Sequence, residues 1–338
     1  MSVLDAASSA LPITIADVEA AAARLSGMAV RTPLLSTPAL DARTGARVFV
    51  KAECLQRTGS FKFRGAYNRI AMIPEDVRAR GVVACSSGNH AQGVAEAARL
   101  FAVPATIVMP NDAPAIKRAR TERSGATVVP YDRVTEDRLA IATDIAERTG
   151  ATFIHPYDDP GVMAGQGTIG LEIADDLARM GVIADRVIVP VSGGGLIAGV
   201  SIALSDRMPG IIAQPAEPEA FDDLTRSLQA GSRVANAQKS GSIADALLAD
   251  MPGENTFLIH RQLLSPGYAV PDPALLRAMG FVMNEFKLVG EPGGVIGIAA
   301  LLEGMLAAKG ETVVVVLSGG NADPATIKAA LDSAAPVA

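Results

Sequence analysis

RVIVPVSGGGLIAG, residues 186–199, is the stretch on which the fold turns. After its first residue RVIVPV is apolar without alternation, the pattern of a strand covered on both faces in a parallel sheet. Consecutive glycines end that strand, and LIAG starts an apolar helix. A strand, a glycine turn and a helix in that order form part of a crossover unit, so the chain reads as α/β.

The same pattern extends outward. VFVKAE (48–53), GVVAC (81–85), ATIVMP (105–110), TVVPY (127–131), ATFIHP (151–156), GIIAQP (210–215) and TVVVVL (312–317) read as further strands. Helical patterns fill the intervals: HAQGVAEAARLFA (90–102), APAIKRARTERSG (113–125) and TEDRLAIATDIAERTG (135–150). An early helix near ITIADVEAAAARL (13–25) carries Thr14 and Asp17 at capping-box spacing. At 338 residues the chain exceeds most single cores, yet no Pro/Gly/Ser-rich linker divides it. The expectation is two interwoven α/β lobes with open, mostly parallel twisted sheets.

Composition narrows the function. With 49% hydrophobic residues, a large core can be buried. A dispersed net charge of −6 lacks the basic surface that nucleic acid requires. Cys54 and Cys85 form no CxxC pair, which argues against a disulfide framework or a zinc site. No basic segment followed by an apolar core opens the chain, and no apolar run reaches the roughly 18 residues of a membrane span. A soluble, cytoplasmic protein is expected.

Open α/β sheets bind ligands beyond the carboxyl ends of their strands. SSGNHAQG (86–93) offers hydroxyls, an amide and a helix start to a carboxylate, or is an ordinary N-cap. VSGGGLIAG (191–199) can close backbone N–H groups around a phosphate. Gly193, Gly195 and Ala198 equally satisfy a dinucleotide fingerprint, with Glu217 near the position of a ribose-binding acid. LSGGN (317–321) places a hydroxyl at a strand end, and GEPGG (290–294) opens the apolar helix VIGIAALLEGMLAA. In TGSFKFRGA (58–66), Lys62 stands between Phe61 and Phe63. A lysine desolvated by aromatic rings is biased to its neutral form, which attacks carbonyls.

In this order and spacing, GSFKFRGA, SSGNHAQG, SGGGLIAG, EPGG and LSGGN resemble the serine/threonine dehydratase family of pyridoxal phosphate (PLP) enzymes, of fold type II (tryptophan-synthase-β-like). The resemblance runs from about residue 15 to 330, and it is greatest to the short catabolic threonine dehydratases and serine racemase. It implies a large PLP-binding domain of residues 1–79 and 159–338, a small domain of residues 80–158, and no C-terminal regulatory domain. A homodimer or higher homo-oligomer is implied as well.

Residue by residue, the resemblance makes Lys62 the lysine that takes the cofactor aldehyde and then moves the α-proton, with Phe61 against the ring. Asn89 would bond the ring hydroxyl, and Ser318 the ring nitrogen. The amides of Ser192, Gly193, Gly194, Gly195 and Leu196 would hold the phosphate. Ser192 stands where many relatives have glycine, and its amide serves equally. Glu291 would face ring and substrate. Ser86, Ser87, Asn89 and His90 would surround the substrate carboxylate, and Ser87 matches the opposite-face base of racemases. AEPEAFDD (216–223) resembles a divalent-cation site, with Glu217, Asp223 and the Phe221 carbonyl as oxygen ligands for Mg²⁺ or Ca²⁺. The same acids also read as caps of the helix FDDLTRSL.

The implied activity is an L-threonine/L-serine ammonia-lyase (dehydratase). A β-hydroxy amino acid would yield a 2-oxo acid and ammonia by α,β-elimination. Within the family, a 3-hydroxyaspartate dehydratase and a serine racemase are the alternatives. Arg133 and Arg138 are candidate partners for a second carboxylate. A NAD-dependent dehydrogenase is the distant alternative. The expected partner is a small hydroxy amino acid, with neither nucleic acid nor membrane.

Overall fold

The computed structural model describes residues 10–113, 115–132 and 134–333. Ten strands follow in chain order: β1 (Leu34–Leu35), β2 (Arg47–Ala52), β3 (Val82–Cys85), β4 (Ala105–Pro110), β5 (Thr127–Tyr131), β6 (Thr152–Phe153), β7 (Arg186–Pro190), β8 (Ile212–Pro218), β9 (Tyr268–Val270) and β10 (Thr312–Leu317). They form a six-stranded sheet ordered β1-β2-β10-β7-β8-β9 and a four-stranded sheet ordered β5-β4-β3-β6. Every pair is parallel except β1 with β2. The smaller sheet is therefore built wholly from chain lying between β2 and β7.

The non-alternating valines find their explanation in β10. Val313, Val315 and Leu317 enter one apolar cluster with Val48, Val50 and Ile188. Val314 and Val316 enter another, on the opposite face, with Phe49, Val187 and Val189. The last strand in sequence thus lies between β2 and β7 in space, and both its faces exclude water. At the amino end, the Asp17 carboxylate accepts from the Thr14 N–H at 2.7 Å and from its hydroxyl at 2.8 Å, starting the helix Ile15–Leu25.

The structure differs from the sequence reading at several elements. ATFIHP shortens to β6, because only Thr152 and Phe153 pair with Val82 and Val83. The following residues leave the sheet toward the site. GIIAQP shifts to Ile212–Pro218. The helix expected over 295–308 is Ile296–Leu302, and Gly304 beyond it takes a left-handed φ of 69°. β1 and β9 are too short for periodicity to reveal. The helix Pro160–Met180 also escaped, since its glycines depress helical propensity. Those glycines permit close packing: a Cβ on Gly165 would lie 2.7 Å from the Arg64 carbonyl oxygen. On the facing helix Gly195–Arg207, a Cβ on Gly199 would lie 2.1 Å from the Met163 carbonyl oxygen.

Polar groups also join these elements below the surface. Arg64 donates to both Glu53 oxygens (2.9 and 2.8 Å) and both Glu172 oxygens (2.7 and 3.0 Å). Lys51 Nζ donates to Glu172 at 2.6 Å and to the Thr32 carbonyl at 2.7 Å. Lys51, Glu53 and Arg64 are buried. Burial would raise the Glu53 carboxyl, but Arg64, Lys51 and the Thr32 hydroxyl together hold it below its ordinary value. Replacing Arg64 with methionine strands Glu53 without its partner. The expected loss is about 3–5 kcal/mol, read as the change in chemical-denaturation stability of Arg64→Met.

Candidate active site

Lys62 begins the helix Lys62–Ala71. Its Nζ donates to the Pro156 carbonyl at 2.7 Å and stands 5.2 Å from the Phe61 ring centroid. Burial lowers its amine to about 8, and the charge of Glu291 opposes that shift. Phe63 does not complete an aromatic sandwich. It is buried in the apolar core, 5.6 Å from the Tyr67 ring and beneath Arg57. One ring and one carbonyl, not two rings, define the lysine's surroundings.

Three of the quoted motifs are laced together by backbone bonds. The Phe61 N–H donates to the Ser318 carbonyl at 3.1 Å, and the Gly320 N–H to Gly59 at 2.9 Å. The Glu291 N–H donates to Gly319 at 3.0 Å, and the Ser318 N–H to Gly294 at 3.3 Å. LSGGN is thus the middle strip between GSFK and EPGG. Ser318, nearly buried, closes the carboxyl end of β10. Gly319 leaves no room for a side chain, since its Cβ would lie 2.2 Å from Glu291 Oε1.

Asn89 connects this strip to the smaller sheet. Its Nδ2 donates to Glu291 Oε1 at 2.5 Å, and its Oδ1 accepts from Asn321 Nδ2 at 2.8 Å. Asn321 also donates to the Thr58 carbonyl at 2.7 Å and accepts from Arg120 at 3.1 Å. Burial pushes the Glu291 carboxyl up to about 7, Asp245 adds to the rise, and the bond from Asn89 opposes it. A cavity of about 240 Å³ borders Glu291 and Asn321, and the ion pair Lys117–Asp245 stands on its lining.

SSGNHAQG turns from β3 into the helix Asn89–Leu100. Ser86 Oγ accepts from the Gly88 N–H at 3.1 Å, and Ser87 is half-buried beside it. One turn on, Gly93 packs on the lysine's backbone: its Cβ would lie 3.1 Å from the Lys62 carbonyl carbon. His90 is buried, its Nε2 bonded to the Ile154 carbonyl at 3.0 Å, and burial lowers its ring to about 3. A carbonyl accepts, so Nε2 carries the proton and the neutral ring is occupied in structure.

The glycine turn lies after β7. Gly194 has φ 92°, and the helix Gly195–Arg207 starts at the next residue. Among the described residues, no protein acceptor takes the N–H groups of Ser192, Gly193, Gly194, Gly195 or Leu196. Helix starts leave such donors for a ligand. Ser192 Oγ is occupied, accepting from the Ala249 N–H at 3.1 Å. The turn is a cradle of free donors with positive helix-dipole character, matched to a phosphate. These donors, the amine of Lys62, the Ser318 hydroxyl and the Asn89 amide fit pyridoxal phosphate.

The carboxylates of AEPEAFDD form a separate cluster. Glu217 accepts from the Leu224 N–H (2.8 Å), the Thr225 N–H (2.9 Å) and the Thr225 hydroxyl (2.6 Å). Asp223 Oδ1 accepts from Asn236 at 2.7 Å, while its buried Oδ2 has no partner. Phe221 is buried and ends the 3-10 turn Glu219–Phe221. Burial pushes Glu217 up to about 8 and Asp223 up to about 7. No group of three or more His, Cys, Asp or Glu side chains is placed for a metal among the described residues. A cation here would use two carboxylates and a backbone carbonyl.

Arg133 lies outside the described residues. Arg138 is exposed at the start of the helix Arg138–Thr149. Burial raises the Tyr157 hydroxyl and lowers the His155 ring, and the charge of Arg138 bears on both groups. The sequence reading gave Pro156 and Tyr157 no role, since Pro156 ended the expected strand ATFIHP and Tyr157 lay just beyond it. It also gave Asn321 no role, since LSGGN drew notice for its serine and glycines. Both segments directly follow strands, which was the available signal.

A model of the family described as pyridoxal-phosphate dependent enzyme matches residues 25–319. An L-threo-3-hydroxyaspartate ammonia-lyase of Pseudomonas sp is 46% identical over 91% of this chain and 95% of its own. An L-threonine ammonia-lyase of Thermotoga maritima is 42% identical over 92% of this chain and 76% of its own. Among solved structures, the threonine deaminase of T.th. aligns with a TM-score of 0.87 at 42% identity, covering 92% of this chain and 99% of that one. Maize serine racemase aligns with a TM-score of 0.89 at 36% identity, covering 94% and 96%.

The environment of Lys62 has a measurable consequence in the cofactor-free protein. A lowered amine is neutral and reactive above its shifted value. Labelling of Lys62 by an amine reagent, located by peptide mass analysis, is expected to rise through about pH 8. Ordinary lysines react through ~10.4. Glu291 raises the amine, so Glu291→Gln moves the midpoint lower still. A midpoint near that of surface lysines contradicts the assigned environment.

Proposed function

The chain belongs to the pyridoxal-phosphate dependent enzyme family, of fold type II, and on that premise we propose that it is an ammonia-lyase converting L-threonine or L-serine to a 2-oxo acid and ammonia. The observation that carries this reading is Lys62 Nζ, placed between the Phe61 ring and the Pro156 carbonyl with its amine lowered to about 8. The names of the relatives support it.

When bound, pyridoxal phosphate supplies an aldehyde that takes an amine and a conjugated ring that draws electron density from the substrate's α-carbon. The residues of this chain do the rest. The N–H groups from Ser192 to Leu196 would hold the phosphate, and Ser318 and Asn89 would meet the ring nitrogen and hydroxyl. Phe61, 5.2 Å from the lysine nitrogen, would lie against the ring. Ser86, Ser87 and the helix-start N–H groups of Asn89 and His90 bind the substrate carboxylate. The His90 ring braces this turn through its bond to the Ile154 carbonyl.

Lys62 would remove the α-proton with its neutral Nζ. The β-hydroxyl leaves with a proton as water, and hydrolysis of the resulting enamine, through its imine tautomer, takes up one water and releases the 2-oxo acid and ammonia. Ser318 offers the ring nitrogen a hydroxyl, not a carboxylate, so prompt loss of the β-group is favoured over slower side reactions. Ser87 provides a proton-bearing group on the other face, which is the feature that would permit racemisation.

A second reading is 3-hydroxyaspartate as substrate. Arg138, exposed and electrostatically coupled to Tyr157, is the cation that would meet the extra carboxylate. Glu217, Asp223 and the Phe221 carbonyl would hold Mg²⁺ or Ca²⁺, and the unpartnered Asp223 Oδ2 is the feature that invites one.

A panel of L-threonine, L-serine, D-serine and the 3-hydroxyaspartate diastereomers, scored for 2-oxo acid and chirality, separates these readings. Lys62→Ala should remove both turnover and the visible absorbance of bound cofactor. If hydroxyaspartate is the substrate, Arg138→Met raises its KM about tenfold or more and leaves threonine unchanged, the loss expected of one ion pair with a ligand. Mg²⁺ should raise Tm in the native protein and do nothing in Glu217→Gln.

A further inference from the structure

Behind the glycine turn lies a helix that the proposed chemistry does not use. Glu254–Leu263 carries Thr256 and His260 one turn apart, and neither side chain is exposed. Thr256 Oγ1 donates to the Gly193 carbonyl at 2.8 Å. His260 Nε2 bonds to the Gly194 carbonyl at 3.0 Å. Residues i and i+4 on one helical face thus meet two successive carbonyls of the cradle.

The rest of the environment fixes the same geometry. The Gly193 carbonyl also accepts from the Gly253 N–H at 3.2 Å, and the Gly194 carbonyl from the Ala198 N–H at 3.0 Å. The His260 ring lies on the glycine itself: a Cβ on Gly194 would be 2.0 Å from its Cε1. Tyr157 presses from another side, 2.3 Å from where a Gly193 Cβ would be. Asp158, next to Tyr157, accepts from the Glu254 and Thr256 N–H groups at 3.0 Å each and so holds the helix start in place.

We propose that Thr256 and His260 are positioning residues for the phosphate cradle: by holding the Gly193 and Gly194 carbonyls outward, they keep the neighbouring N–H groups facing the ligand. The physical reason is the freedom of glycine. At φ 92°, Gly194 has access to orientations closed to other residues. A rotated peptide would present a carbonyl to the phosphate in place of a donor. Two buried donors on a rigid helix remove that choice. Burial lowers the His260 ring to about 4, so it stays neutral with its proton on Nε2. This inference rests on the reading of the turn as a site for the cofactor phosphate.

The test compares pyridoxal phosphate with pyridoxal, which lacks the phosphate, in titrations of cofactor-free full-length protein. Thr256→Val and His260→Leu should each weaken pyridoxal phosphate about tenfold, the cost of losing one buried hydrogen bond. Binding of pyridoxal should not change. Thr256→Ser and His260→Gln, which keep a donor, should restore the loss. Equal weakening of both ligands, or no weakening of either, overturns the inference. Thr256→Val is isosteric and keeps the test open if His260→Leu does not fold. Native protein that binds both ligands equally would instead refute the cofactor site itself, and this inference with it.

Discussion

Arg64 is the point on which the site's geometry depends. Its guanidinium bridges Glu53, just past β2, and Glu172, on the helix Pro160–Met180. Lys51 completes the group, giving two cations against two carboxylates. Arg64 and Lys62 lie two positions apart in the first turn of one helix, so they point to nearly opposite sides. Fixing Arg64 against the larger sheet therefore fixes the rotation of that helix and aims Lys62 away from it, toward the Pro156 carbonyl. A buried ion cluster contributes little net stability, but it tolerates few alternative arrangements, and here it sets which way the lysine faces.

The site is assembled at the carboxyl ends of parallel strands. β2, β7 and β10 are parallel in one sheet, so the segments that follow them emerge on the same side. The strip 317–321 joins the segment that follows β2 to residues 291–294 by backbone bonds, and Asn321 adds a side-chain bond to the Thr58 carbonyl. Burial then tunes the groups it encloses. It lowers Lys62 and His90 and raises Glu291, in each case favouring the neutral form. The lysine's amine comes down to about 8, and the histidine ring stays neutral and bonded to the Ile154 carbonyl. Of the three, Glu291 borders the cavity, the lysine meets the Pro156 carbonyl and the histidine the Ile154 carbonyl.

Much of this was legible in the chain. Non-alternating valine runs marked the strands, and β10 shows why: its two faces enter different cores. Three of the five motifs are joined by backbone bonds, Asn89 of a fourth bonds Glu291 and Asn321, and the N–H groups of the glycine turn are free of protein acceptors among the described residues. Other features left no periodic trace. β1 and β9 are too short, and the long helix Pro160–Met180 is disguised by glycines that serve packing. Phe63 misled because adjacency in sequence was read as adjacency in space. On a helix, neighbours point about 100° apart, so one flanking ring met the lysine and the other entered the core.

By itself, then, the sequence determined the α/β architecture, the family and the residue types that carry the chemistry, because strand burial and turn chemistry are local and leave local patterns. Only the tertiary structure decided which way those residues turn and what each of them meets. It turned His90 inward to Ile154, gave Lys62 a carbonyl partner 94 positions away, and set Thr256 and His260 behind the glycine turn. Each of those outcomes depends on helix rotation and long-range packing, and no short stretch of sequence encodes either.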